Sequence, residues 1–299
     1  MSANALFIGA ACIDVVIYLD RLPKTEENVH PWKQTVSLGG CACNAARAAR
    51  LVCDRITFAG PVGTGVFGEL AERELAKSGL SVSIRTEKEN GCCYCFVEDG
   101  GKSTFMSVHG GEYTFDREWM RDIDRTKYDY VYVSGLEIEE PTGDVLIDYL
   151  YEYPDRKVVY CPGTRGAVLR EKNERLMELQ PILHLNMKES CMMAETLFQR
   201  QFSDWREAAK ALQGITGETL VVTLGKDGAY AVSNDFKHLV PGEETIVVNA
   251  VGAGDTHAGV LIGSLCNGLS WKDALECANT WSAKAVATET AVPFARTIK

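Results

Sequence analysis

The sequence has no stretch of about 18 uninterrupted apolar residues, which excludes a helical membrane span, and its N-terminus lacks the basic and apolar regions of a secretion signal. A cytoplasmic protein is therefore expected. Cationic side chains are in deficit: 31 Lys and Arg stand against 41 Asp and Glu, a formal net charge of -10. Such a surface repels a phosphate backbone, so nucleic acid is not an expected partner. No Gly-x-x-x-x-Gly-Lys-Ser/Thr is present, which excludes a P-loop enzyme. No Gly-x-Gly-x-x-Gly follows the first apolar run, which argues against a nicotinamide-dependent dehydrogenase. The 11 cysteines are odd in number and sit among strand and helix residues, as in a reduced protein. Cys92, Cys93 and Cys95 lack the paired form of a zinc site, and His109 alone lies near them in sequence. Repeats, low-complexity tracts and linkers are missing too.

What remains is an ordinary globular composition, 46% hydrophobic and 24% charged over 299 residues. The stretch that carries chemistry is Val251-Gly252-Ala253-Gly254-Asp255-Thr256, read as the turn between a strand at Thr245 to Val248 and a helix through Leu265. Gly252 and Gly254 leave successive N–H groups unshielded, so they can receive an anion at the helix start. A carboxylate would repel that anion unless it had work to do. In one reading Asp255 is a general base that takes the proton of an alcohol during phosphoryl transfer; in the other it caps the helix.

Along the chain, Ala5 to Ala11 reads as a buried strand with Asp14 at its C-terminal end, where ligands sit in open α/β sheets. Residues 15–38 read as extended chain. Gly39 and Gly40 precede an Ala-rich helix containing Asn44, whose amide suits a polyol or a helix cap. Ile56 to Ala59 and Val82 to Arg85 read as strands and Val66 to Lys77 as a helix. Cys92 to Val97 and Ser103 to Val108 form a predicted hairpin around Glu98-Asp99-Gly100-Gly101. Strands from Tyr130, Val158, Ile182 and Leu220 alternate with helices from Thr142 and Leu169, the pattern of a parallel sheet. Their polar or glycine ends, including Asn186 to Glu189 and Gly225 to Gly228, point toward one rim. The expected fold is a single doubly wound α/β domain over residues 1–299, with a small β lid made by excursions at about 15–38 and 91–109.

These pieces, in order, resemble the ribokinase-like carbohydrate kinases, the PfkB family: the first strand with Asp14, Gly39-Gly40 with Asn44, Val62-Gly63 with Phe67-Gly68, Asn186 with Glu189, Thr223-Leu224-Gly225 with Gly228, Gly252 to Asp255, and Asn279. The resemblance implies an ATP- and Mg²⁺-dependent kinase acting on a hydroxyl of a sugar-like small molecule. It implies Asp255 as base, Gly252, Ala253 and Gly254 as the anion hole, and Asp14, Gly39, Gly40, Asn44 and Glu137 on the substrate. It also implies Asn186, Thr223, Gly225, Gly228 and Asn279 on the nucleotide, with Glu189 serving Mg²⁺ indirectly. Asn249, Thr290 and Phe294 depart from members that bind a potassium-like ion, and Cys41 stands where ribokinases proper tend to have Lys. A nucleoside kinase, or a member that binds ligand without turnover, are the alternatives. Exposed lid strands suggest a homodimer, and substrate choice is expected around Trp32, Met106, His109 and Glu112.

Overall fold

The first apolar run does not stay one strand. In the computed structural model, which describes residues 3–82, 84–99, 102–153, 155–288 and 291–292, Ala5–Ile8 forms β1 and the chain bends before Cys12–Leu19 forms β2. The bend falls at Gly9, where a Cβ would lie 2.4 Å from both Ala42 Cβ and Glu137 Oε1. Asp14 therefore lies inside β2 rather than at the end of β1, because the chain changes sheets between them.

Lys33–Gly39 (β3) leads into Cys41–Arg50 (α1), followed by Ile56–Ala59 (β4), Pro61–Thr64 (β5), Gly65–Lys77 (α2) and Ile84–Glu89 (β6). Cys92–Glu98 (β7) and Ser103–Val108 (β8) make the expected hairpin, pairing Cys92 with Val108 and Val97 with Ser103; Gly100 and Gly101 of its turn lie outside the described residues. After Arg117–Arg121 (α3) the chain alternates through Tyr130–Ser134 (β9), Gly135–Glu139 (α4), Gly143–Tyr151 (α5), Lys157–Cys161 (β10), Arg170–Glu178 (α6), Ile182–Asn186 (β11), Met187–Phe198 (α7), Trp205–Thr216 (α8) and Leu220–Thr223 (β12). A hairpin, Ala229–Val232 (β13) and Lys237–Val240 (β14), precedes Ala253–Cys266 (α9) and Trp271–Val286 (α10).

Two compact units result: residues 1–9, 41–59 and 115–299, and residues 10–40 and 60–114. The second is wider than the two excursions read from the sequence, since it also takes in β5, α2 and β6. Its four-stranded sheet runs β3-β2-β7-β8. In the first unit eight strands run β14-β13-β12-β11-β10-β9-β1-β4, parallel except for β13. This is the doubly wound α/β class, with helices flanking a mostly parallel sheet.

The register brings Ser134 opposite Cys161 and Asn186 opposite Thr223, so the C-terminal ends of β9 to β12 form one rim. The helix α1 owes its form to Ala42, Ala45, Ala46, Ala48 and Ala49, all fully buried. Its small side chains let α9 come close. A Cβ on Gly259 would lie 2.0 Å from Ala45 O, and one on Gly263 2.9 Å from Ala49 O. Each glycine costs a helix about 1 kcal/mol relative to Ala, which this close approach offsets.

The β-rich Thr245 to Val248 is not a strand. Ile246 and Val247 are 82% and 64% exposed. The segment is held by the end of α10 instead: Val248 and Asn249 N–H donate to Val286 O at 2.7 and 3.1 Å. No helix among the described residues is long and apolar enough to cross a membrane.

Candidate active site

Close packing of α1 on α9 places Asn44 beside Asp255, and Asn44 Nδ2 donates to Asp255 Oδ2 at 3.1 Å. The residue at the N-cap of α9 is Gly252, at φ +77°, where a Cβ would lie 2.6 Å from Ala291 Cβ. Asp255 is thus the third residue of the helix and not its cap, which leaves the half-buried carboxylate to other work. Gly254 is exposed, open space lies where its Cβ would be, and its N–H has no partner among the described residues. The Ala253 N–H donates to Ala250 O at a long 3.3 Å. Of the amides expected to form the anion hole, that of Ala253 is engaged by the turn that Gly252 makes and that of Gly254 is not.

A buried acidic floor lies in the same unit. Glu137 is fully buried in the first turn of α4, accepts a hydrogen bond from Ser134 Oγ, and is pressed against Gly9. Ser134-Gly135-Leu136-Glu137 has the spacing of a capping box, the signal that would have found Ser134. Burial, and then the carboxylates of Asp255 and Glu137, push the Cys41 thiol well up; burial does the same to Cys161, with Asp255, Glu189 and Glu137 adding to it. Both stay neutral thiols, which are poor nucleophiles. The sequence reading missed Cys161 as a neighbour of the site, and missed Tyr132, whose buried hydroxyl lies beside the Cys161 thiol, while the buried hydroxyl of Ser264 has no hydrogen-bond partner among the described residues. Asn44 Oδ1 is likewise buried and unpartnered.

The residues expected on the nucleotide share the first unit, and several bond to the protein itself. Asn186 and Glu189 form a capping box for α7: Glu189 N–H donates to Asn186 Oδ1 and Asn186 N–H to Glu189 Oε2, both at 2.9 Å. Burial raises the Glu189 carboxyl, while its bonds to Asn186 act against the rise. Thr223 Oγ1 reaches Leu185 O at 3.5 Å. Gly225 at φ +62° is open, whereas a Cβ on Gly228, at φ +100°, would meet Val240 O at 2.0 Å. Asn279, expected beside the adenosine, has its amide consumed. Its Nδ2 donates to Val240 O at 3.3 Å and Pro241 O at 2.9 Å, and its Oδ1 faces His257 Nε2 at 3.1 Å.

In the second unit Asp14 and Gly39 are brought together, since a Cβ on Gly39 would lie 2.0 Å from Asp14 Oδ2. Gly40 is needed for φ +95° and for its approach to Ala10 O. Trp32 and Met106 are exposed, and Glu112 is fully buried.

A pH dependence follows from His184 and His257, both held neutral by burial, with His257 pushed down to about 4 from an ordinary value of 6.5. Between these pH values the unfolded chain binds a proton that the folded chain refuses. Stability is therefore intact at neutral pH and lost as pH falls from 6.5 toward 4. His257 alone should remove roughly 2.5 kcal/mol between about pH 7 and about pH 4.5. Urea unfolding of the parent and of His257→Gln at the two pH values checks this: the variant should lose that much less, and equal losses would refute it.

Fold and site together outline an α/β phosphotransferase of the ribokinase-like class. A family model described as "pfkB family carbohydrate kinase" matches residues 2–297, and the chain belongs to that family. It is thereby an ATP-dependent enzyme that phosphorylates sugars. The chain is 33% identical to the uncharacterized sugar kinase YegV of Escherichia coli (strain K12) over 278 residues, 92% of this chain and 86% of that protein. Its fold matches that of a ribokinase from Thermotoga maritima with a TM-score of 0.83 at 19% identity, over 98% of this chain and 97% of the other. It also matches Arabidopsis thaliana ribokinase complexed with ribose and ATP, with a TM-score of 0.80 at 18% identity, over 99% and 96%.

Proposed function

We infer that the enzyme transfers the γ-phosphoryl group of ATP to a hydroxyl of a sugar or sugar-like small molecule, with Asp255 as the general base. The observation that carries this reading is a carboxylate oriented by Asn44, one residue from an exposed, unpartnered amide at a helix start. Asp255 takes the hydroxyl proton as the oxygen bonds to phosphorus, the bond to the bridging oxygen breaks, and ADP leaves. The Gly254 N–H and the α9 dipole stabilise charge on the transferring group.

Glu189, half-buried at the start of α7, is assigned to Mg²⁺ indirectly on the family resemblance, and no cage of three His, Cys, Asp or Glu stands among the described residues. When bound, Mg²⁺ would neutralise phosphate charge. Thr223, Gly225 and Gly228 are assigned to the nucleotide, and Asp14, Gly39 and Gly40 to substrate hydroxyls, on the family resemblance. Neutral thiols at Cys41 and Cys161 favour direct transfer over a covalent enzyme intermediate. ADP release with Mg·ATP across a panel of sugars, sugar acids and nucleosides tests the reading. We expect turnover of a sugar-type compound; a nucleoside as the best substrate would replace the acceptor, and no turnover of any would leave a ligand-binding member.

A cytoplasmic location and self-association through the second unit's sheet are carried on the same footing. All six residues of the edge strand β8 are exposed, Phe105, Met106 and Val108 among them. A monomeric mass by light scattering would remove the dimer.

A further inference from the structure

Three buried polar side chains form a chain that the mechanism above does not use. His184 Nε2 lies 2.9 Å from His257 Nδ1, and His257 Nε2 lies 3.1 Å from Asn279 Oδ1. They are 5%, 2% and 7% exposed, and they come from β11, α9 and α10.

The far end of the chain fixes every proton in it. Asn279 Nδ2 faces two carbonyls, Val240 O and Pro241 O, so that atom must be the amine and the other must be the carbonyl oxygen. An acceptor at Asn279 Oδ1 requires His257 to carry its proton on Nε2. Its Nδ1 is then a bare lone pair, which requires the proton of His184 to sit on Nε2. Each donor has one acceptor, and neither ring has room for a second proton facing its partner.

The carbonyls held by Asn279 belong to a segment packed on the nucleotide side. A Cβ on Gly228 would lie 2.0 Å from Val240 O and 2.5 Å from Gly242 N, and one on Gly242 would lie 2.3 Å from Lys226 O. A shift of a few tenths of an ångström at residues 240–242 is therefore passed straight to residues 226–228. His257 sits two residues beyond Asp255, in the helix that carries the base.

We propose that His257 is a positioning residue that, through Asn279, ties the catalytic helix α9 to the segment 240–242 and so sets the wall of the nucleotide cleft at Gly225 to Gly228. This deepens the kinase reading and rests on the assignment of those glycines to the nucleotide. A side chain with one donor and one acceptor is required at position 257, and an aromatic or aliphatic one of similar size is not equivalent.

The test compares His257→Leu, His257→Gln and the double variant His184→Leu/His257→Leu. Each is examined for KM of ATP, KM of the best sugar, kcat, and the affinity of a nonhydrolysable ATP analogue with Mg²⁺ by calorimetry. We expect His257→Leu to raise the KM of ATP and the Kd of the analogue by about 10-fold or more, the loss of one buried hydrogen-bond partner. The KM of the sugar should change less than about 2-fold. Gln supplies a donor to Asn279 and an acceptor to His184, and should bring the nucleotide constants back to within about 3-fold of the parent. The double variant leaves no polar group facing position 257 from β11 and is expected to fold where the single Leu variant does not, yet it still strips Asn279 of its donor and should keep the weakened nucleotide binding. Nucleotide constants unchanged in the Leu variants, or Leu and Gln equally impaired, would overturn the proposal. A parent protein that binds no ATP analogue would instead overturn the kinase reading beneath it.

Discussion

Asp255→Asn should lower kcat by about 10³-fold while leaving the affinity for an ATP analogue and the KM of the sugar within about 3-fold of the parent. The substitution is close to isosteric. Asn44 Nδ2, now 3.1 Å from Asp255 Oδ2, can donate to an amide oxygen in the same place, so the new side chain keeps its orientation. What disappears is the ability to accept a proton from the attacking hydroxyl. A general base contributes some 10²- to 10⁴-fold, and phosphoryl transfer with its loose transition state takes the remainder from positioning and charge neutralisation. The residual rate should therefore lie well above zero and should respond less to rising pH on the acid limb than the parent rate does. Steady-state kinetics of ADP release across pH measure both. A kcat within about 5-fold of the parent would remove Asp255 as the base and leave the exposed Gly254 amide as the main feature of the site.

How much of this was legible beforehand depends on the range of the interaction involved. The alternation from Tyr130 onward depends on local hydrophobic period, and the parallel sheet was read from it. The Gly-Gly start and Ala-rich body of α1 and the turn at Gly252 to Asp255 are equally local, and they lie where expected. The break between β1 and β2 was not legible, because Gly9 gives way to Glu137, more than a hundred residues later. Thr245 to Val248 has strand composition but no neighbouring strand to pair with, and composition cannot tell the two cases apart. Polar residues matched to the family have a second role that the match does not show. Asn186, Glu189 and Asn279 occupy the matching positions, yet the groups they would offer a ligand are partly or wholly engaged by the protein itself. In Asn186-x-x-Glu189 the capping box was readable from spacing alone. His184, His257 and Asn279 meet across three elements, and no local pattern announces them.

Glu112→Ala should cost the fold about 3 kcal/mol. Glu112 is fully buried, and its two oxygens accept from Gly91 N–H at 2.7 Å and Gly110 N–H at 3.1 Å. These glycines stand just before β7 and just after β8, so one carboxylate closes the open end of the hairpin. Neither can be replaced to compensate: a Cβ on Gly91 would lie 1.8 Å from Val108 O, and one on Gly110 2.3 Å from Glu89 O. Two effects oppose each other in the variant. Removing a buried carboxylate returns its desolvation cost, while each amide left without an acceptor costs about 1–3 kcal/mol on top of the lost charge-assisted bond. The amides should win, because alanine leaves a space beside them and no oxygen to fill it. Glu112→Gln separates the terms, since it keeps one acceptor, turns a donor toward the other amide, and should lose about 2 kcal/mol. Urea unfolding measures both losses, and hydrogen exchange at Gly91 and Gly110 should accelerate in the alanine variant ahead of the rest of β7. An alanine variant within about 0.5 kcal/mol of the parent would mean that the desolvation term dominates, and that Glu112 is retained for a reason other than stability.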